Sequence, residues 1–211
     1  MKTVYLVRHG ETVSNAKEVF QEQSISLSEK GMRQADILAT RLSKLPVDAI
    51  ISSDLPRARQ TAEKIGTVLH KEPLFVPFFR ERKEPTSLQG KSYADPAVKK
   101  LRELRDEHIE DASWRYEDEE TFFEVRQRAE QCLSLLLKQP EHCIVAVTHG
   151  AFMRFLLGIA IFDDAFTPDM WQKMRFGFMT SNTGITVLKH EAKQWTSGWS
   201  VLVWNDHAHL G

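Results

Sequence analysis

Polar and apolar positions along the chain follow two periods in turn, and the switches between them predict its elements. Thr3–Val7 is a short β-branched and aromatic run that reads as a buried strand. After Ser28, a fitting N-cap, Met32, Ala35, Leu38, Ala39 and Leu42 share one helical face to about Leu45. Asp48–Ser52 reads as a second strand. Ala58, Ala62, Ile65 and Leu69 mark the next helix, and Leu74–Phe79 reads as a third strand in spite of Pro77. Thr121 to Lys138 is amphipathic, with Phe122, Val125, Ala129, Cys132, Leu133 and Leu136 inward. Cys143–Val147 is the next strand and Ala151–Ile161 an apolar helix. Thr183–His190 and Gly198–Trp204 read as two strands joined by a turn near Glu191–Ser197.

Strands alternating with helices predict an α/β fold, a three-layer sandwich with a mostly parallel central sheet covered by helices on both faces. Residues 86–117 break the alternation. They are highly charged and partly helical in pattern (Val98, Leu101, Leu104), and read as a helical insertion beside the core that could serve as a lid. No repeat, low-complexity tract or Gly/Ser linker divides the chain, so residues 1–211 are expected to form a single domain.

In open sheets of this kind ligands bind beyond the carboxyl ends of the strands. The first strand runs into Arg8-His9-Gly10 and the second into Ser52-Ser53-Asp54-Leu55-Pro56-Arg57. The third leads to Arg80-Glu81-Arg82 and the fourth to Thr148-His149-Gly150. Two histidines, at least two arginines and a carboxylate therefore converge on one sheet edge. Planar guanidiniums suit phosphoryl oxygens, and phosphoryl transfer needs positioning and neutralisation above all. A histidine held neutral at one nitrogen is a competent nucleophile toward phosphorus. Departure of an alkoxide calls for a general acid, and Glu81 is the available carboxyl.

Composition removes competing classes. The formal net charge is -1 and the basic residues are dispersed, which leaves no nucleic-acid stripe or polybasic membrane patch. The apolar stretch at the N-terminus is too short for a signal peptide or a membrane span. Cys132 and Cys143 cannot build a disulfide framework, so a reduced, cytoplasmic location is expected. No Walker loop, kinase glycine loop or metal-ligand cluster appears, so neither metal nor cofactor is expected. His70, His108, His142 and His190 are read as ordinary histidines, and His207 and His209 as part of a flexible polar tail beside Asp206. Arg59 reads as a solvated helix arginine and Asn182 as turn chemistry before a strand.

Leu6-Val7-Arg8-His9-Gly10-Glu11-Thr12 resembles the Arg-His-Gly signature of the histidine phosphatase superfamily, also called phosphoglycerate-mutase-like. Ser53-Asp54-Leu55-Pro56-Arg57-Ala58, Arg80-Glu81 and Thr148-His149-Gly150 match its later motifs in order, over roughly residues 3 to 187. The resemblance implies that His9 is phosphorylated, that Arg8, Arg57 and His149 clamp the phosphoryl group, and that Glu81 donates the proton. It also implies that Asn15 is a polar phosphate ligand. Gly150 is expected to offer a backbone N–H at a helix start. Thr12 is counted with these substrate-binding residues, and with Glu11 it is expected to orient the nucleophile loop. Ser53 orients that loop as well, or caps the following helix.

The superfamily divides into mutases, which return the phosphoryl group to a sugar acid, and phosphatases, which give it to water. Ser14 stands where glycolytic mutases usually carry Trp, and Val19, Gln21 and Glu22 replace the Arg, Ser and Gly of their substrate loop. Their arginine pair in the middle insertion is absent. Glu117-Asp118-Glu119-Glu120 lies near that region, a poor place for a triply charged phosphoglycerate. Glu81 is followed by Arg82-Lys83-Glu84-Pro85-Thr86-Ser87 rather than a glycine-containing continuation. These departures favour a phosphomonoesterase over the alternatives, a mutase-type phosphotransferase or a non-catalytic binding module. The expected partner is a phosphorylated small molecule or a phosphoprotein, and no feature sets an oligomeric state.

Overall fold

A computed structural model of the chain describes residues 1–192 and 198–211. Four parallel strands, β1 (Lys2–Arg8), β2 (Ala49–Ser52), β3 (Leu74–Phe75) and β4 (Cys143–Thr148), and the antiparallel β5 (Ile185–His190) and β6 (Trp199–Asp206) form one sheet. The strand order is β3-β2-β4-β1-β5-β6. The expected turn between the last two strands falls partly on residues 193–197, outside the described residues.

Alternation along the central strands sorts their side chains into two cores. Val4, Leu6, Ile51, Ile144 and Ala146 face α5 (Phe122–Lys138) and α6 (Gly150–Phe162). Tyr5, Val7, Ile50, Val145 and Val147 face α2 (Glu29–Leu42) and α3 (Pro56–Leu69). The sheet therefore lies between two helical layers, as the sequence predicts. Helix boundaries follow local chemistry: Ser28 Oγ accepts the Gly31 N–H at the start of α2, and Thr121 with Glu124 forms a capping box at the start of α5.

The third strand is shorter than expected. It stops at Phe75, and after the Val76 N–H has bonded to the Ser52 carbonyl at 2.8 Å, Pro77–Phe79 turns as a 3₁₀ helix. Proline offers no ladder N–H and fixes its own φ, so the strand cannot continue through it. Residues 86–117 contain a 3₁₀ turn (Thr86–Leu88) and α4 (Pro96–Glu107); Leu88, Val98 and Leu101 pack on Phe20 in a small third core. The carboxyl-terminal tail is docked. Arg41 of α2 ion-pairs with Asp206, and His209 Nε2 lies 3.1 Å from Thr183 Oγ1. Among the described residues no helix is long and apolar enough to cross a membrane.

The loop after β1 is seated against the start of α2 through two glycines. A Cβ at Gly10 would lie 2.6 Å from the Gly31 carbonyl oxygen, and one at Gly31 would overlap the Glu11 backbone outright. Gly31→Ala is therefore expected to cost at least about 1–3 kcal/mol through overpacking. Thermal melts of Gly31→Ala should show a lowered midpoint, whereas Gly177→Ala, at the end of a helix where its Cβ meets nothing within 4 Å, should melt no lower than the wild type.

Candidate active site

Strand register brings the two histidines together. Arg8 pairs with Thr148 across β1 and β4, and Ser52 pairs with Val147 across β2 and β4. The next residue of each strand, His9, Ser53 and His149, therefore leaves the sheet at the same edge. The His9 N–H bonds to the Thr148 carbonyl at 3.0 Å and the Ser53 N–H to the Val147 carbonyl at 2.9 Å, which continues the ladder one step. The imidazole centroids end 5.1 Å apart.

Both rings are closed off from solvent, at 1% and 0% exposure. His9 Nδ1 is 2.7 Å from the Gly10 carbonyl oxygen. A carbonyl only accepts, so Nδ1 carries the proton and Nε2 keeps its lone pair. Burial first, then the Arg57 and Arg8 charges, push His9 well below the usual histidine value. His149 is displaced the same way, by burial, Arg57 and His9. Its Nε2 lies 2.8 Å from Ser53 Oγ, which also accepts the Leu55 N–H at 3.2 Å.

Arg8 and Arg57 line a cleft of about 700 Å³ together with Glu81 and Gly150. Arg8 Nη1 donates to the Thr180 carbonyl at 2.5 Å, and Arg57 Nη1 to the carbonyls of Glu22 and Gln23 at 3.3 and 3.4 Å. The buried atoms Arg8 Nε, Arg57 Nε and His149 Nδ1 have no hydrogen-bond partner among the described residues. Unmatched donors of this kind, next to carbonyl-held guanidiniums, suit an anion with several oxygens. Arg59, by contrast, is not simply solvated: its guanidinium lies 3.6 Å from the centre of the Phe75 ring.

Glu81 arrives by a route other than the end of a long strand. Thr148 Oγ1 donates to the Phe79 carbonyl at 2.8 Å, and Arg128 Nη1 donates to the carbonyls of Phe78 and Arg80 at 2.8 and 2.7 Å. The Glu81 carboxylate then accepts the Ala151 N–H at 3.1 Å and the Phe152 N–H at 2.8 Å, at the amino end of α6. Gly150 gives these groups room, since a Cβ there would lie 3.0 Å from Thr180 Oγ1 and 3.4 Å from Arg8 Nε.

Of the three residues expected at the substrate, Gly150 lines the cleft and the other two shape the loop. Thr12 is fully buried as the N-cap of α1 (Val13–Ala16), and its hydroxyl bonds to the Asn15 N–H and to Gln21 Oε1. Asn15 Oδ1 accepts from the Thr12 N–H and from Asn182 Nδ2, both at 3.2 Å. Glu11 ion-pairs with Lys30 and accepts from Ser28 Oγ, holding the loop to α2. Asn182 does more than form a turn, because Nδ2 also donates to the His9 carbonyl at 2.9 Å. The polar run Thr180–Thr183, immediately before a strand, was the available signal for it. Among the described residues no cluster of His, Cys, Asp and Glu could hold a metal ion.

The acidic stretch does not face the cleft as free charge. Glu119 is buried between Arg82 and Arg105, Glu120 pairs with Arg128, and Asp118 pairs with Lys83. The charge of these three residues is neutralised by their neighbours, which corrects the expectation that the stretch as a whole repels an anionic substrate.

The chain belongs to the histidine phosphatase superfamily (branch 1), whose family model matches residues 4–207. A protein named "Probable phosphoglycerate mutase GpmB" from Erwinia tasmaniensis is 31% identical, over 100% of this chain and 95% of that protein. Mycobacterial glucosyl-3-phosphoglycerate phosphatase, solved in complex with VO3, superposes with a TM-score of 0.80 at 26% identity, covering 97% of this chain and 99% of that one. A phosphoserine phosphatase mutant from Entamoeba histolytica, in complex with phosphoserine, gives a TM-score of 0.79 at 25% identity, with both chains covered in full. The fold is thus phosphoglycerate-mutase-like, and the neighbours include phosphatases and mutases.

The depressed histidines set a pH dependence. The unfolded chain takes up protons on His9 and His149 below about 6.5, while the folded chain does not, so folding stability should fall as the pH drops below that value. Denaturant midpoints between pH 8 and 5 should show this decline. His9→Gln should reduce it, because the variant has one such group fewer.

Proposed function

We propose that this member of the superfamily is a phosphomonoesterase that works through a phosphohistidine on His9. The observation that carries the reading is the His9 tautomer: the Gly10 carbonyl holds the proton on Nδ1 and leaves Nε2 as a neutral nucleophile among guanidinium donors. In the first step Nε2 attacks phosphorus, the ester oxygen leaves and Glu81 gives it a proton. In the second, Glu81 takes a proton from water, water attacks the phosphohistidine, and phosphate leaves His9 free. Arg8 and Arg57 neutralise the equatorial oxygens throughout.

His149 joins this clamp through its tautomer. Ser53 Oγ accepts the Leu55 N–H with one lone pair, and in this reading it gives its own proton to His149 Nε2. That leaves the proton of His149 on Nδ1, the buried atom without a partner, as a donor to a phosphoryl oxygen. The opposite tautomer would set a lone pair against the anion.

Hydrolysis rather than mutase chemistry is supported by the loop after Asn15. Gln21 Oε1 accepts from Thr12, the Glu22 carbonyl accepts from Arg57, and Val19 bridges to Ser92. Gln21, where the mutase pattern has Ser, thus uses its side chain to fasten the nucleophile loop, while Val19 and Glu22 hold it by their backbones. The GpmB relatives keep the mutase as the second reading.

The test is phosphate release from a panel of esters by wild type and His9→Ala, with trapping of an acid-labile phosphoenzyme. His9→Ala should lose both signals; equal turnover in the two proteins, or phosphoglycerate interconversion with little phosphate release, would overturn the proposal. Glu81→Gln should slow alkyl esters by roughly 10²–10⁴-fold and p-nitrophenyl phosphate far less, because that leaving group needs no proton. Vanadate, a mimic of five-coordinate phosphorus, should inhibit competitively.

A further inference from the structure

Glu81 sits on a stretch of chain without the support that a strand would give. After the 3₁₀ turn at Pro77–Phe79, residues 81–85 have no regular secondary structure. Their backbone groups therefore need partners from elsewhere, and those partners are side chains. Arg128 Nη1 donates to the carbonyls of Phe78 and Arg80, and its Nη2 to the Glu81 carbonyl at 3.4 Å. Thr148 Oγ1 donates to the Phe79 carbonyl between them. Four successive carbonyls are thus answered, three of them by one guanidinium.

That guanidinium is itself held on two sides. Its Nε and Nη2 donate to Glu120 Oε1 and Oε2 at 2.9 and 2.7 Å, a forked pair that fixes its plane. Glu120 then reaches the chain beyond Glu81. Its Oε2 accepts the Lys83 N–H at 2.8 Å, and its own N–H donates to the Lys83 carbonyl at 3.0 Å. The Arg128 guanidinium also lies 4.2 Å from the centre of the Phe152 ring. Phe152 is the residue whose N–H bonds to Glu81 Oε1. The pair therefore meets the acid's own backbone, the residue two positions on and a residue that holds its carboxylate.

Shape matters here as much as charge. Arg128 and Glu120 are mostly buried, with side chains 14% and 22% exposed. Removing either would leave the other charge uncompensated. An ammonium in place of the guanidinium would still neutralise Glu120. It is a point charge without the planar fork, and cannot bond a carboxylate side-on and three carbonyls at once.

We propose that Arg128, oriented by Glu120, is the positioning residue of the general acid, holding Glu81 where its proton meets the departing ester oxygen. The inference rests on the phosphomonoesterase reading and on Glu81 as its acid. No step of the hydrolysis requires Arg128 to touch the ester. It acts through Glu81, so its loss counts where the leaving group needs a proton and little where it does not.

The readout is kcat/KM for glycerol 3-phosphate divided by that for p-nitrophenyl phosphate, a ratio independent of the fraction of protein folded. Arg128→Lys keeps the charge, which matters because Arg128 also helps to hold His149 below its usual value. It should lower the ratio about 10–100-fold, up to the cost of misplacing a catalytic group by ~1 Å. Glu120→Gln, which loses the second acceptor of the fork, should lower it by less. In Glu81→Gln the ratio is already low, and adding Arg128→Lys should change it no further. An unchanged ratio in either single variant, or the same drop on top of Glu81→Gln as in wild type, would overturn the proposal. An unchanged ratio in Glu81→Gln itself would remove the acid assignment and the proposal with it. Equal turnover by wild type and His9→Ala would remove the hydrolase reading alone, and amide exchange then decides. The Ala151 and Phe152 N–H groups, in the first turn of α6, should exchange faster in Arg128→Lys, while Met153, bonded to the His149 carbonyl, should not. Equal protection of Ala151 and Phe152 in the two proteins would overturn the placement of Glu81 by Arg128.

Discussion

Two guanidiniums beside two imidazoles at the closed end of a sheet are tolerable only while the imidazoles stay neutral. With the rings 5.1 Å apart, two imidazolium charges would repel by about 3 kcal/mol at an effective dielectric constant near 20. Arg8 and Arg57 add to that repulsion. The Gly10 carbonyl and the Ser53 hydroxyl answer it by giving each neutral ring one fixed partner. The same neutrality is what the proposed nucleophile role of His9 requires, so the condition for folding and the condition for that chemistry coincide.

From this constraint the placement of acidic groups follows. One carboxylate, Glu81, comes to the site, and backbone amides of α6 hold it there in preference to either arginine. Had Glu81 paired directly with Arg8 or Arg57, the guanidiniums would have lost the unmatched donors that suit an anion. The other acidic side chains near the cleft are tied to arginines and lysines of the wall. The phosphoryl end stays positive because its neighbours are internally balanced.

The sheet edge was legible because parallel strands end alike: a buried apolar run followed by Arg-His-Gly or Thr-His-Gly places its polar residues at one edge whatever the register. That rule found Arg8, His9, Arg57 and His149. It reached Glu81 through an element that is not there, since Pro77 ends the strand and tertiary bonds from Thr148 and Arg128 carry the chain onward. Asn182 and the docked tail were harder to read. Their partners, His9 for Asn182 and Arg41 and Thr183 for the tail, lie up to 173 residues away, and the polar run before β5 marks Asn182 without indicating which residue it meets.

Thr12 and the acidic stretch show how position and direction differ. Thr12 lies three residues beyond His9, yet its hydroxyl is taken up in starting α1 and meeting Gln21, so it shapes the loop from within. Glu119 lies at the cleft, yet it faces Arg82 and Arg105 and lowers the cost of burying them. Three of the four acidic residues are thus spent on neighbouring cations, so they bring the wall toward neutrality instead of presenting net negative charge to an anion. In the proposed hydrolase, discrimination between a sugar acid and water as acceptor falls to the loop after Asn15. There Gln21 supports the loop through its side chain, and Val19 and Glu22 through their backbones.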